Sequence, residues 1–237
     1  MKKQDLGQTI EAKYVFALAD QARVLAWLDS FCVPDHKFER GRVHSLYYDS
    51  HGLDLYDEKR NSDYVKTKVR LRWYTLTAKD REPGAKISCF LEVKRKYGTV
   101  RDKQRIALEL EADQLLGDPF GSETIRNLPT QAFGLAQIQP FFLVPAVVVQ
   151  YSRGRYVEPE TGARVSIDTD IRCPAANLDL FPEPVEVALP VGVLEIKGAM
   201  GVFPRSLRPL QDTLHKEAFS KYGLVIEGLR HPIGMSV

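Results

Sequence analysis

Basic and apolar residues alternate along this chain with a period of two, and nothing else in it constrains the fold as strongly. In Lys68-Val69-Arg70-Leu71-Arg72, three bases are interleaved with two apolar residues. Successive side chains of a β-strand point to opposite faces. The three bases therefore share one face, and Val69 and Leu71 share the other. The pattern recurs in Glu92-Val93-Lys94-Arg95-Lys96 and at Arg101, Lys103 and Arg105. Glu11 and Lys13 flank Ala12, Arg153 and Arg155 flank Gly154, and Glu195 and Lys197 flank Ile196. Strands of this kind build a sheet with one apolar face and one strongly basic face.

Net charge conceals this. The 237 residues carry 33 Lys/Arg and 31 Asp/Glu, a formal total of +2. From Lys59 through Arg105 there are 15 bases and 5 acids, a net of +10, so the remainder carries −8. A solvated outer face normally mixes signs, because like charges on neighbouring strands oppose pairing. A face this basic costs stability unless a polyanion binds between its cations. The pattern favours a sheet closed on itself, with the basic faces inward around a wet lumen where attraction to phosphate is strong.

Three carboxylates, Glu11, Glu92 and Glu195, each lie two residues before a lysine on the same face. Two roles are open to them: pairing with the neighbouring base, or holding a Mg²⁺ or Mn²⁺ ion completed by phosphate oxygens and water. The spacing alone does not choose between them.

Elsewhere the chain reads as one continuous domain. Strands are expected at 9–17, 43–49, 66–74, 86–95, 100–110, 141–156, 163–171 and 191–197. Turns are expected at Glu82-Pro83-Gly84 and Tyr97-Gly98. Helices are expected over Asp20–Phe31, Leu53–Lys59 and Pro209–Tyr222, the last with Leu210, Leu214 and Ala218 on one face and Gly223 as its stop. Short helices and loops fill 111–139. The class is α+β, mainly antiparallel, with helices packed outside the sheet.

Other classes are excluded or disfavoured. Cys32, Cys89 and Cys173 are odd in number and form no CxxC, which points to buried or free thiols in a reducing compartment. The N-terminus has no apolar stretch of a secretory signal, and the apolar run near 141–149 contains Pro145. A cytoplasmic protein without direct membrane insertion is expected. There is no GxxxxGK[ST] loop, no GxGxxG after a strand and no HExxH. Nucleic-acid binding is disfavoured, since Trp73 and Tyr74 are the one aromatic pair on a basic strand.

The order of motifs resembles the VTC domain, within the wider triphosphate tunnel (CYTH-like) superfamily. It is carried by Glu11-Ala12-Lys13-Tyr14, Tyr47-Tyr48-Asp49-Ser50, Lys68-Val69-Arg70-Leu71-Arg72 and Leu91-Glu92-Val93-Lys94-Arg95-Lys96. Tyr151-Ser152-Arg153, Arg164-Val165-Ser166-Ile167-Asp168-Thr169-Asp170, Leu194-Glu195-Ile196-Lys197 and Ser220-Lys221-Tyr222 continue it. The resemblance spans Glu11 to Tyr222.

The resemblance implies a single domain over residues 1–237, an eight-stranded closed tunnel barrel with helices outside. It implies transfer of the γ-phosphoryl group of ATP to polyphosphate, dependent on Mn²⁺ or Mg²⁺. Triphosphate hydrolysis in the same tunnel, or catalytically silent binding of polyphosphate or nucleotide, are the alternatives. Arg70, Arg72, Lys94 and Lys221 would act in catalysis. Lys13, Lys68, Lys96, Lys103, Arg105, Arg153, Arg164 and Lys197 would grip phosphates. Glu195 would hold the metal, with Glu11 as the second candidate ligand. Thr9 stands where the superfamily often has a further glutamate.

Overall fold

The expected strands are all present in the computed structural model, which describes residues 9–36, 40–74, 78–82, 84–133, 142–199 and 203–231. The strands are β1 Thr9–Ala17, β2 Val33–Pro34, β3 Arg40–Asp49, β4 Val65–Tyr74, β5 Lys86–Tyr97 and β6 Val100–Glu111. They continue with β7 Val144–Val157, β8 Arg164–Ala176, β9 Val187–Ala188, β10 Val191–Ala199 and β11 His215–Lys216. The helices are α1 Gln21–Phe31, α2 Asp54–Arg60, α3 Ala112–Leu116, α4 Glu123–Phe133 and α5 Lys221–Arg230. Among the described residues the strands pair antiparallel, β1 with β10, β10 with β8, β3 with β4, β4 with β5 and β5 with β6, and the class is α+β as expected. Residue 141, Pro83 and residues 134–139 of the expected elements lie outside the described residues.

The chain divides into two compact units. The first comprises Met1–Arg42, Tyr151–Ile171 and Leu189–Ser220. Its strand order is β11-β1-β10-β8-β7, with β2 on β7. Phe16 of β1, Val165 and Ile167 of β8, and Leu194 and Ile196 of β10 form its core with Val24 and Leu28 of α1. These residues alternate with Glu11, Lys13, Ser166, Asp168, Glu195 and Lys197, which take the opposite face. Gly192 stands opposite Phe16 in the β1–β10 register, and a Cβ there would lie 2.1 Å from the ring. A larger residue would push Phe16 out of the core.

The second unit comprises Val43–Gln150, Arg172–Ala188 and Lys221–Val237. Its main sheet runs β7-β3-β4-β5-β6. Val69, Leu71 and Trp73 of β4 pack with Ile87, Cys89, Leu91 and Val93 of β5, under Leu55 of α2, Leu115 of α3, and Ile125 and Leu128 of α4. Each fully buried aliphatic side chain of this kind contributes about 2 kcal/mol. The helices therefore cover the apolar face, and Lys68, Arg70 and Arg72 lie on the other. Asp49, fully buried at the end of β3, accepts hydrogen bonds from the backbone N–H groups of Ser50, Leu55 and Tyr56. It thereby satisfies the open start of α2. The Tyr222 hydroxyl of α5 also donates to it.

The last expected helix is a correction. No continuous helix spans residues 209–222: a 3-10 turn covers Arg205–Leu210, and His215–Lys216 pairs with Tyr14 and Val15 of β1. The helix begins at Lys221, and Gly223 lies inside it rather than ending it. Leu210 and Leu214 are buried in the first unit's core, but Ala218 is exposed, so their spacing marks no continuous face. The true helical face is Tyr222, Val225, Ile226 and Leu229.

The three cysteines are free and buried. Burial pushes the Cys32 thiol up to about 11, with Glu158 adding to the effect. Among the described residues no helix is long and apolar enough to cross a membrane.

Candidate functional site

Strand register turns the alternating bases of the second unit into rows. Lys66 of β4 faces Lys96 of β5, which faces Arg101 of β6. Lys68, Lys94 and Lys103 form the next row, and Tyr47, Arg70, Glu92 and Arg105 the one after it. Two successive rows thus set like charges directly opposite each other. Each such pairing opposes the sheet by a few tenths to about 1 kcal/mol.

Glu92 anchors the neighbouring row. Its side chain is 1% exposed, and Arg70 donates to its Oε2 through Nε at 2.8 Å and Nη2 at 2.6 Å. Lys103 Nζ lies 2.9 Å from Oε1, Arg72 Nη1 3.6 Å from Oε2, and Arg105 Nε 3.7 Å from Oε1. One carboxylate is shared by four cations, so the cluster keeps a strong positive excess. Arg105 also lies over the Phe90 ring, 3.6 Å from its centroid. Of the two roles open to Glu92, pairing is the one this geometry fills.

Burial pushes the Glu92 carboxyl up, but the charges of Arg70 and Arg72, with hydrogen bonds from Lys103 and Arg70, hold it well below the usual carboxylate range. Its folded value is depressed, so the stability it contributes is complete above the unfolded value of 4.5. That stability is lost as pH falls below there toward the folded value. Glu92→Gln, which removes the buried carboxylate that Arg70, Arg72, Lys103 and Arg105 share, is expected to cost about 3 kcal/mol at neutral pH. The gap to wild type should narrow steadily from pH 5 to pH 2. Thermal melts across that range check this; a gap independent of pH would contradict it.

Tyr47 is a neighbour that sequence reasoning missed. It accepts from Arg70 Nη1 at 3.3 Å and stacks on Tyr222, ring centroids 4.8 Å apart. Burial pushes its phenol up, yet the charges of Arg70, Lys68 and Arg72 bring it down to about 7. The available signal was parity: in Tyr47-Tyr48-Asp49, Tyr48 belongs to the core, so Tyr47 must take the basic face. Lys221, half-buried, opens α5 beside Tyr222. A lysine in a helix's first turn opposes the helix dipole, and an anion there offsets that.

The first unit gathers the remaining candidates. Lys197 stands opposite Glu11 on β1 and opposite Arg164 on β8, while Glu195 stands opposite Lys13 and Ser166. Lys197 Nζ pairs with Glu195 and lies 3.8 Å from Glu11. Lys13 Nζ lies 3.6 Å from Glu11 and donates to the Phe219 carbonyl at 3.4 Å. Burial pushes the Glu195 carboxyl up, but Lys197, Arg153 and Lys13 bring it down to about 2. Arg153 is held by Asp168, a second residue the sequence reading missed: Nε–Oδ1 is 2.6 Å and Nη2–Oδ2 is 2.7 Å. This fork fixes the guanidinium plane. Arg164 is exposed.

As a metal centre the donor set is small. Among the described residues no group of three His, Cys, Asp or Glu side chains converges. Glu11 and Glu195 do converge on one point, now held by the Lys197 ammonium. Two carboxylates fit a hard divalent ion that takes its other ligands from phosphate and water. In the second unit Glu92 is already committed to arginine and lysine.

A profile of the VTC domain family matches residues 8–229. No curated protein sequence matches the chain significantly. Among solved structures, a candidate adenylate cyclase from Bacillus halodurans is similar at TM-score 0.44 and 15% identity, over 81% of each chain. A conserved hypothetical protein from Pyrococcus furiosus is similar at TM-score 0.36 and 11% identity, over 94% of this chain and 91% of that one. Likenesses this distant add nothing to the argument.

Proposed function

Because this chain belongs to the VTC domain family, we propose that it is a cytoplasmic polyphosphate polymerase, which transfers the γ-phosphoryl group of ATP to a polyphosphate chain. One observation carries the reading: the rows Lys66–Lys96–Arg101 and Lys68–Lys94–Lys103 set like charges opposite each other on the face away from the helices. A sheet tolerates such rows when an anion lies across them, and a phosphate chain repeats its charge along its length.

The terminal oxygen of polyphosphate attacks the γ-phosphorus of ATP. A P–O bond forms there as the bond to the β–γ bridging oxygen breaks and ADP leaves. No proton need be removed from the nucleophile, so the chain supplies alignment and positive charge. Arg72 and Arg70, beside Lys94, meet charge on the transferred group, and Lys68, Lys96, Lys103 and Arg105 hold the chain. Lys13, Arg153, Arg164 and Lys197 grip phosphates in the first unit, and Lys221 in α5 meets a further phosphate. Glu11 and Glu195 would hold a Mn²⁺ or Mg²⁺ ion, which when bound neutralises phosphate oxygens as a Lewis acid. The eight-stranded closed tunnel and a single functional domain over residues 1–237 are part of this proposal.

The test is to incubate purified protein with ATP and Mn²⁺ and resolve the products on a gel. A polyphosphate ladder with ADP is expected. Phosphate without polymer would make the protein a triphosphatase, and binding without turnover would make it a sensor. Either result overturns the polymerase reading.

A further inference from the structure

Lys197 does something in this structure that gripping phosphate does not explain. Its ammonium occupies the point where Glu11 and Glu195 converge, paired with Glu195 and 3.8 Å from Glu11. Register makes this unavoidable. Lys197 faces Glu11 directly across β1–β10, and Glu195 lies two residues back on the same face. Lys13 closes the series from the other side, 3.6 Å from Glu11. Cations and carboxylates therefore alternate: Lys13, Glu11, Lys197, Glu195.

A divalent ion bound by both carboxylates needs the place this ammonium fills. The two cations exclude each other there, by volume and by charge. Lys197 also has somewhere to go. Its side chain is 35% exposed on a flexible stem, and Arg164 stands opposite it on β8. An anion seated between Lys197 and Arg164 would draw the ammonium off the carboxylates.

We propose that Lys197 is a placeholder cation: it occupies the metal position in the free protein, and a divalent ion enters only as a phosphate chain draws the lysine away. The inference rests on the metal-and-phosphate reading of this cluster and adds its regulation. Metal and phosphate then bind cooperatively, each raising the other's affinity by the same factor. The free protein resists loading by whatever divalent ion is abundant.

The experiment measures binding of Mn²⁺ alone to the full chain, by the electron paramagnetic resonance signal of free Mn²⁺. Lys197→Met keeps the stem and removes the charge, and should bind Mn²⁺ about 10-fold or more tightly than wild type. Lys197→Arg, which keeps the charge, should stay near wild type. Adding Glu195→Gln to Lys197→Met should abolish the gain. Lys197→Gln replaces the Met variant if that variant shows no cooperative melt. Equal Mn²⁺ affinity in wild type and the neutral variants overturns the proposal, as does a gain that survives Glu195→Gln. Failure of the underlying phosphate reading is distinguishable, because wild type would then fail to bind tripolyphosphate in metal-free buffer containing chelator.

Discussion

Replacing Arg72 with methionine is expected to lower kcat for phosphoryl transfer by about 100- to 1,000-fold, the usual loss when one preorganised charge donor is removed. Arg72 and Arg70 look equivalent in sequence, but their surroundings separate them. Arg70 binds Glu92 through two nitrogens at 2.6 and 2.8 Å. Arg72 is 3.6 Å from that carboxylate, with Ser45 Oγ 3.5 Å from its Nε. Removing Arg72 leaves Glu92 with Arg70 and Lys103 as close partners, so the fold should survive with a melting temperature within a few degrees of wild type. Removing Arg70 strips a buried carboxylate of its principal partner. Arg70→Met should therefore lose activity together with about 3 kcal/mol of stability. Arg72→Lys should recover only part of the rate, because an ammonium lacks the planar fork. Steady-state kinetics paired with thermal melts check this. Equal destabilisation by both arginine variants, or an Arg72→Met kcat within a few-fold of wild type, would contradict it.

Glu195→Gln is expected to lower metal-dependent turnover by about 1,000-fold while tripolyphosphate binding is kept or tightened. Lys197, Arg153 and Lys13 outweigh burial and hold its carboxyl near 2, so it is an anionic oxygen donor at any pH the protein meets. The amide keeps the shape and loses the charge. The cluster then gains one net positive charge, which favours anions and disfavours a divalent cation. The effect should fall on kcat and Mn²⁺ dependence rather than on anion affinity. Calorimetry with tripolyphosphate and assays titrated with Mn²⁺ separate the two. Parallel loss of binding and turnover would mean that Glu195 holds the fold of the site rather than a metal.

Parity was legible because a strand has only two faces. Once Val69 and Leu71 are assigned to a core, Lys68, Arg70 and Arg72 have no choice of side. The same logic recovers Glu11 with Lys13 and Glu195 with Lys197. Register was not legible, and most of the site depends on it. Glu92 meets Arg70 on β4 and Arg105 on β6 only through two strand pairings that no single segment encodes. Asp168 meets Arg153 across a hairpin, fifteen residues apart. The false helix over 209–222 arose because Leu210 and Leu214 sit at helical spacing, yet Leu210 ends a 3-10 turn and Leu214 lies in the irregular stretch just before the short strand His215–Lys216. Spacing records which residues are buried, and here two different backbones bury the same pair.

The polyphosphate reading stands or falls with the face that carries the even-numbered bases of β4 and β5. The measurement that tests it most directly is an experimental structure of the protein with tripolyphosphate bound. Phosphorus density is expected against Lys68, Arg70, Arg72 and Lys94, and against Lys103 opposite Lys94 on β6. Density confined to other surfaces, with those side chains unchanged and away from the anion, would contradict it.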